Sequence, residues 1–362
     1  MKLTAYTYRL PFSQSLTNSQ HTYRFREGII LYLETSKRSF VGEAAPLSGF
    51  SYESLDDVKS QVKKYIKVWY SLLSRARPIQ LLQDHYQQQP IVSSLQFALD
   101  TLASQLEAHR TGKSLQQLLF DQWNKKTPVN GLLSPSDDDV LSSIEKLKEE
   151  GFTTVKCKVG IGFQKELTQL RKITAQYPGF RIRLDANRAW SLHEAVSNLE
   201  QLANMDIEYC EEPLAKSTPE NYKELALQSS IPLALDESLN KHTKQWMEFL
   251  PHISFLIVKP MVIGSFERVK KIYEQAIRSE KKIIFTSSLE SSIGRTITAI
   301  LASGWGAEDH AHGLNTGNKL DYDITANQPM IFNGSINSTD MDAITVTNTH
   351  LETITTKIIS ST

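Results

Sequence analysis

Five short polar clusters, each closing an apolar run, recur at nearly even spacing between Lys156 and Lys259 and constrain the fold more than any other feature of the chain. They are V-K-C-K with Lys156 and Lys158, R-L-D-A-N with Arg183, Asp185 and Asn187, E-Y-C-E-E-P with Glu211 and Glu212, L-A-L-D-E-S with Asp236 and Glu237, and L-I-V-K-P with Lys259. Counted from Lys158 through Asp185, Glu211 and Asp236 to Lys259, the steps are 27, 26, 25 and 23 residues. A strand, a helix and two short loops of a β/α barrel need about that length. Helix-period segments fill the gaps, so strand, polar tip and helix repeat. Strands of a parallel barrel all point the same way, and the five tips therefore converge on one mouth.

The remaining chain fits around this repeat. Val129–Leu133 reads as the first barrel strand and 136–150 as the first barrel helix, capped by Ser136 or Asp137. Further helices are expected from about Gln164, Ser191, Pro219, Lys241, Ser265 and Ser292, with another strand at Lys282–Phe285 and a weak eighth at Ala307–His310. The tips march on without the reversal of a doubly wound sheet, which favours the barrel. Before it, Lys2–Leu10, Gly28–Glu34 and Arg38–Gly42 alternate like antiparallel strands, and Ser54–Leu73, Ser93–Arg110 and Ser114–Gln122 carry helical periodicity. Three strands followed by helices make an α+β unit. The expected division is an α+β domain over 1–126, a β/α barrel over 127–312, and a segment over 313–362 that returns to the first domain. Polar Ser13–Arg26 reads as a loop between two strands of that domain.

With 362 residues the chain suits one large and one smaller domain. Lys plus Arg and Asp plus Glu are 40 each, so no basic excess argues for nucleic acid. Cys157 and Cys210 carry no metal or disulfide spacing and read as buried thiols in a reducing compartment. Neither a leader nor a membrane span is legible, and a soluble, cytoplasmic protein is expected.

The chemistry begins with carboxylates. Asp185, Glu211 and Asp236 on three adjacent tips form an oxygen-only donor set, which suits a hard cation such as Mg²⁺. Any one of them alone is as well explained by a helix cap or a lysine partner; three in register weaken that account. Within Glu211-Glu212 only one side chain can face inward, and either satisfies the pattern. Lys156 and Lys158 project to the same side of one strand, where lost hydration and a neighbouring cation favour the neutral amine of a base. An isolated Lys-x-Lys is more often a solvated edge, but Lys259 faces this pair across the mouth.

The ordered set Lys-x-Lys, Asp-x-Asn, Glu-Glu-Pro, Asp-Glu-Ser and Lys-Pro resembles the enolase superfamily, and its muconate-lactonizing subgroup in particular. Gly42-Glu43-Ala44-Ala45-Pro46-Leu47 is similar to that subgroup's cap-domain signature. The resemblance implies a modified TIM (β/α) barrel, an α+β capping domain built from the N-terminus and the C-terminal tail, and proton abstraction next to a carboxylate with Mg²⁺, for which Mn²⁺ can substitute. Finer stretches, Arg183–Trp190, Val258–Pro260, Ser287–Gly294 and His312–Gly317, resemble the o-succinylbenzoate synthase family of menaquinone biosynthesis. That implies a small carboxylate substrate, Lys158 as base, Lys156 and Lys259 as its catalytic companions, and Asp185, Glu211 and Asp236 as metal ligands. Arg183, Thr286, Ser287, Gly313 and Leu314 are implied to bind substrate, with Asn187 and Glu237 supporting the ligands; Arg183 could equally buttress the carboxylates. The resemblance also implies that Ser13–Arg26 closes over the mouth; an ordinary exposed hairpin connection is the other reading of this segment. Dipeptide epimerase and N-acylamino acid racemase share the lysines and ligands. The epimerases carry Asp-x-Asp after the eighth strand, where this chain has Gly313-Leu314-Asn315, and Asp321-Tyr322-Asp323 reads as a surface turn. A degenerate barrel acting as a binding scaffold is the non-enzyme alternative.

Overall fold

Seven parallel strands, Gly131–Leu133, Thr154–Lys158, Arg181–Asp185, Ile207–Glu211, Leu233–Leu235, Phe255–Val258 and Lys282–Phe285, pair in sequence order. The computed structural model describes residues 1–17, 22–135, 139–160, 162–241, 245–325, 329–341 and 355–361. The expected cap at Ser136 or Asp137 lies outside them.

The barrel closes through a segment too short to count as a strand. His312 bridges Val129 and Gly313 bridges Thr286, both in parallel. The His312 amide donates to the Pro128 carbonyl at 2.8 Å and the Gly313 amide to the Phe285 carbonyl at 2.8 Å. The eighth strand position is therefore a few residues beyond the expected Ala307–His310. Gly313 is required there, because a Cβ would lie 1.8 Å from Thr286 Oγ1. His312 is buried and accepts the Phe285 amide on Nδ1 at 3.0 Å. Burial, with Arg183 and His310 nearby, pushes its pKa down to about 3 and keeps it a neutral acceptor.

The second layer is an antiparallel sheet of Lys2–Thr17, Thr22–Glu34 and Ser39–Ala44, with Thr355–Ser361 from the tail paired to the first strand. Helices Leu55–Ser74, Pro78–Gln88 and Ser93–Thr111 pack on it around Leu3, Leu31, Val62, Trp69 and Leu99. The middle helix was not legible as a separate element. Ser13–Arg26 is not an open loop: Leu16 pairs with Tyr23 and Thr17 with Thr22, so both arms extend the hairpin beyond an irregularity after Pro11. Residues 18–21 lie outside the described chain. The expected return of the tail is divided as well. Hairpin Ile331–Phe332 and Ser335–Asn337 pairs with Lys126–Pro128 next to the barrel, not with the N-terminal sheet. After the fifth barrel strand the helix expected from Lys241 is a 3-10 segment over Gln245–His252.

Candidate active site

Register brings the tips together. Lys158 pairs with Asp185 and Asp185 with Glu211 across adjacent strands, so these side chains leave the sheet at one level. Lys156, one layer below Lys158, bridges two strands: its Nζ lies 2.8 Å from Asp185 Oδ2 and 2.8 Å from Glu211 Oε2. Lys259 caps a short helix, Pro260–Ile263, and its ammonium pairs with Asp236 Oδ2. Lys158 is exposed at the mouth and has no ion pair or hydrogen bond from its side chain among the described residues.

The carboxylates govern the charge of these lysines. Burial pulls the Lys156 pKa down, but Asp185, Glu211 and Asp236 outweigh it and hold the amine well above the ordinary lysine value. The expectation that lost hydration favours a neutral amine fails for Lys156. Lys259 is likewise raised, with Asp236 and Glu237 overcoming burial. Glu211 is pushed well up by burial and by Asp185 and Asp236, against the pull of Lys156. Glu237 rises to about 8 through burial and Asp236.

The two adjacent glutamates part company at the backbone. Glu212 adopts φ 42° and is fully buried. Its Oε1 accepts the amides of Asp236 at 2.9 Å and Ser238 at 2.8 Å, and its Oε2 accepts Ser238 Oγ and Arg188 Nε, both at 3.0 Å. Glu212 thus locks the fourth tip to the fifth, and Glu211 faces the lysines. Asn187, in the left-handed region that Asn tolerates, donates Nδ2 to Asp185 Oδ1 at 2.8 Å. Asn187 thereby fixes one oxygen and leaves the other to Lys156.

Arg183 is a correction. It is 0 % exposed; Nε pairs with Glu208, Nη1 donates to the Ala311 carbonyl at 2.5 Å and the guanidinium lies 5.0 Å from the Tyr209 ring centre. A register irregularity opposite Arg183 lets Glu208 reach it. Two residues before Asp185 on the strand, Arg183 sits a layer deeper, joining the third strand to the closing segment and inaccessible to a substrate. Thr286 donates to the Gly313 carbonyl at 3.1 Å, and Ser287 Oγ lies 2.6 Å from Thr316 Oγ1. With buried Leu314 they form the wall at the seventh and eighth strand positions. Asp321 and Tyr322 are exposed, as a surface turn requires, but the Asp323 side chain turns inward: it pairs with Arg295 at 2.7 Å and accepts the Ser292 amide at 2.7 Å. One contributor escaped the sequence reading. The Phe50 ring, in the turn after Gly42–Leu47, lies 4.7 Å from Lys259 Nζ. Its place beside a glycine in that turn was the available signal.

The donor set suits a hard divalent cation. Asp236 Oδ1 is buried without a hydrogen-bond partner. Glu211 is held above its ordinary pKa by burial and, against the pull of Lys156, by the charges of Asp185 and Asp236, which an added cation would offset. Among the described residues no three acidic, histidine or cysteine side chains stand ready-made around an ion. Ammonium groups lie between the carboxylates instead.

The family model described as enolase C-terminal domain-like matches residues 139–341, more than half the chain. The chain belongs to the enolase superfamily. A second model, the MenC N-terminal domain, matches residues 1–93. The o-succinylbenzoate synthase of Haemophilus influenzae is 28% identical over 323 residues, covering 88% of this chain and 91% of that protein. Muconate lactonizing enzyme of Pseudomonas fluorescens, solved with muconolactone, superposes with a TM-score of 0.83 at 16% identity, covering 98% of each chain. Dipeptide epimerase of Enterococcus faecalis, solved with Mg and a dipeptide, gives a TM-score of 0.80 at 19% identity over 93% of this chain and 96% of that one. These neighbours bear out the modified barrel with its capping domain. No described helix is long and apolar enough to cross a membrane.

Proposed function

We propose that this enzyme is an o-succinylbenzoate synthase, dehydrating 2-succinyl-6-hydroxy-2,4-cyclohexadiene-1-carboxylate to 2-succinylbenzoate on the route to menaquinone. The observation that carries this reading is the asymmetry of the lysines: Lys259 is clamped to Asp236, whereas Lys158 is exposed and unpaired among the described residues. One unclamped lysine and one lysine fixed to a carboxylate suit a single-base elimination; a racemase needs both faces to exchange protons. The synthase relative and the matching N-terminal model point the same way.

Asp185, Glu211 and Asp236 would hold Mg²⁺, or Mn²⁺ in its place. When bound, the ion would supply a Lewis acid for the substrate carboxylate and stabilise the second negative charge that develops beside it. Lys158 removes the proton next to the ring carboxylate. Lys156, kept cationic by its carboxylates, orients Asp185 and Glu211. Lys259 presents its ammonium to the ene-diolate from the opposite side, preorganised by Asp236 and Phe50. Lys158 then returns its proton to the departing hydroxyl, and the ring becomes aromatic. Thr286, Ser287, Gly313 and Leu314 form the wall for the non-reacting end of the substrate, and Asn187 and Glu237 support the ligands.

Dipeptide epimerisation is disfavoured by Asp323, which is committed to Arg295 instead of standing ready for an ammonium. Ultraviolet-monitored turnover of the cyclohexadiene, run beside a dipeptide panel with and without chelator, tests the reading. Metal-dependent aromatisation with inert dipeptides is expected. Epimerised dipeptides with untouched cyclohexadiene would replace the synthase by the epimerase, and proton exchange with none of these substrates would leave the scaffold.

A further inference from the structure

We infer that Glu43 of the capping domain, assisted by Arg26, is a positioning residue for substrate: it fixes the segment Thr286–Ser291 that walls the mouth. Glu43 is fully buried and belongs to the third strand of the N-terminal sheet, yet most of its partners are in the barrel. Its Oε1 accepts the Ser291 amide at 2.9 Å and the Tyr8 hydroxyl. Its Oε2 accepts Ser291 Oγ at 2.6 Å and the Gly294 amide at 2.8 Å. The carboxylate thus caps the helix Ser292–Trp305 from outside the barrel, where the positive helix end favours an anion. Gly294 is required for the approach, since a Cβ there would lie 2.9 Å from Glu43 Oε2 and 2.5 Å from Glu290 Cγ. Arg26, 1 % exposed, donates Nε to the Leu289 carbonyl at 3.0 Å and Nη1 to the Pro46 carbonyl at 2.8 Å, binding the same segment to the turn after Glu43. Leu289 holds φ 63°, which a leucine keeps only where its surroundings impose it.

The metal and lysine groups stand on the second to sixth strands, while this contact reaches only the seventh strand's loop and the helix behind it. Docking of the cap therefore sets how often the substrate wall is formed, and the barrel tips set the chemistry. A site competent for only part of the time binds more weakly in proportion.

Glu43→Gln is the discriminating variant. All four partners donate; the two hydroxyls can reverse and accept from an amide, but the Ser291 and Gly294 amides cannot, and they lie on different oxygens. Glutamine must leave one of them unsatisfied. This test rests on the proposed synthase reading for its kinetic arm. There, KM should rise about tenfold, the equivalent of one unmet buried donor, with kcat and Mg²⁺ affinity within about threefold of wild type. Ser291→Ala, a milder change, should move KM the same way by less. Asp100→Asn is the control, because Asp100 caps a different barrel helix by accepting the Phe266 amide at 2.8 Å. It should shift the melting temperature without raising KM. Equal KM increases in both variants, in step with lost stability, would reduce Glu43 to a general tie and overturn the inference. The second readout needs no activity: amide hydrogen exchange over 287–291 should quicken in Glu43→Gln and stay slow in Asp100→Asn. An unchanged exchange rate in Glu43→Gln would overturn the inference even if the enzyme proved to use another substrate.

Discussion

The molecule buries carboxylates in two places and answers them differently. At the barrel mouth Asp185, Glu211 and Asp236 face lysine side chains, and two oxygens, Glu211 Oε2 and Asp236 Oδ1, have no hydrogen-bond partner. At the seam between the domains Glu43 and Asp100 meet backbone amides of barrel helices and a tyrosine hydroxyl each. Backbone amides cannot move or change charge, so the seam is fully satisfied and rigid. Ammonium groups can swing and exchange protons, so the mouth is left with charge that a cation and a substrate can use. Incomplete satisfaction in one place and its completion in the other separate chemistry from architecture.

The largest effect should come from breaking the mouth. Asp236→Asn removes the partner of Lys259 and an orphaned oxygen together, and activity is expected to fall at least about a thousandfold, with an unchanged circular dichroism spectrum. Full activity in that variant, or in excess chelator, would remove Asp236 from the site.

The seam should respond in stability instead. Burial raises the Asp100 carboxyl from 3.8 to about 7. A raised folded pKa means that the protonated form is favoured by folding: its contribution is complete below the unfolded value of 3.8 and is lost as pH rises to about 7. That loss is at most about 4 kcal/mol. Denaturant titrations of wild type and Asp100→Asn across this range should differ by a slope that the variant lacks. Parallel curves would show that Asp100 does not titrate there.

Somewhat less is expected from Glu43→Ala, which strands two helix amides and should cost about 3 kcal/mol in denaturant unfolding. A cost below about 0.5 kcal/mol would class it with ordinary surface substitutions. The smallest change sharpens the mouth: Asn187→Ala removes the side-chain donor to Asp185 Oδ1, leaving the backbone amide at 3.2 Å, and should lower kcat/KM about tenfold, the value of one orienting hydrogen bond. No kinetic change would make Asn187 a turn residue only.

The mouth was legible because its information is local and periodic. Each of Lys158, Asp185, Glu211, Asp236 and Lys259 ends or directly follows a strand; register carries the first three to one level, and Asp236 and Lys259 stand just past the ends of the next two strands. Depth within the barrel is not periodic in the same way. Arg183 and Asp185 point to the same side, and nothing in R-L-D marks the first as buried beneath the second. The role of Glu212 depends on a left-handed backbone that Glu-Glu-Pro does not announce. The seam was illegible for a different reason: Glu43 and Ser291 are 248 residues apart, and neither carries a pattern that names the other. The inward turn of Asp323 is not legible because its partner, Arg295, lies on a helix whose face toward the tail only the tertiary fold determines.

In the proposed metal-assisted dehydration the base is Lys158, exposed at the mouth and without an ion pair among the described residues. The most direct test of that role is ultraviolet-monitored conversion of the cyclohexadiene substrate by Lys158→Ala beside wild type at saturating Mg²⁺. The account predicts metal-dependent turnover by wild type and a loss of at least about a thousandfold in the variant, with Mg²⁺ affinity kept. Turnover by Lys158→Ala at the wild-type rate would contradict it.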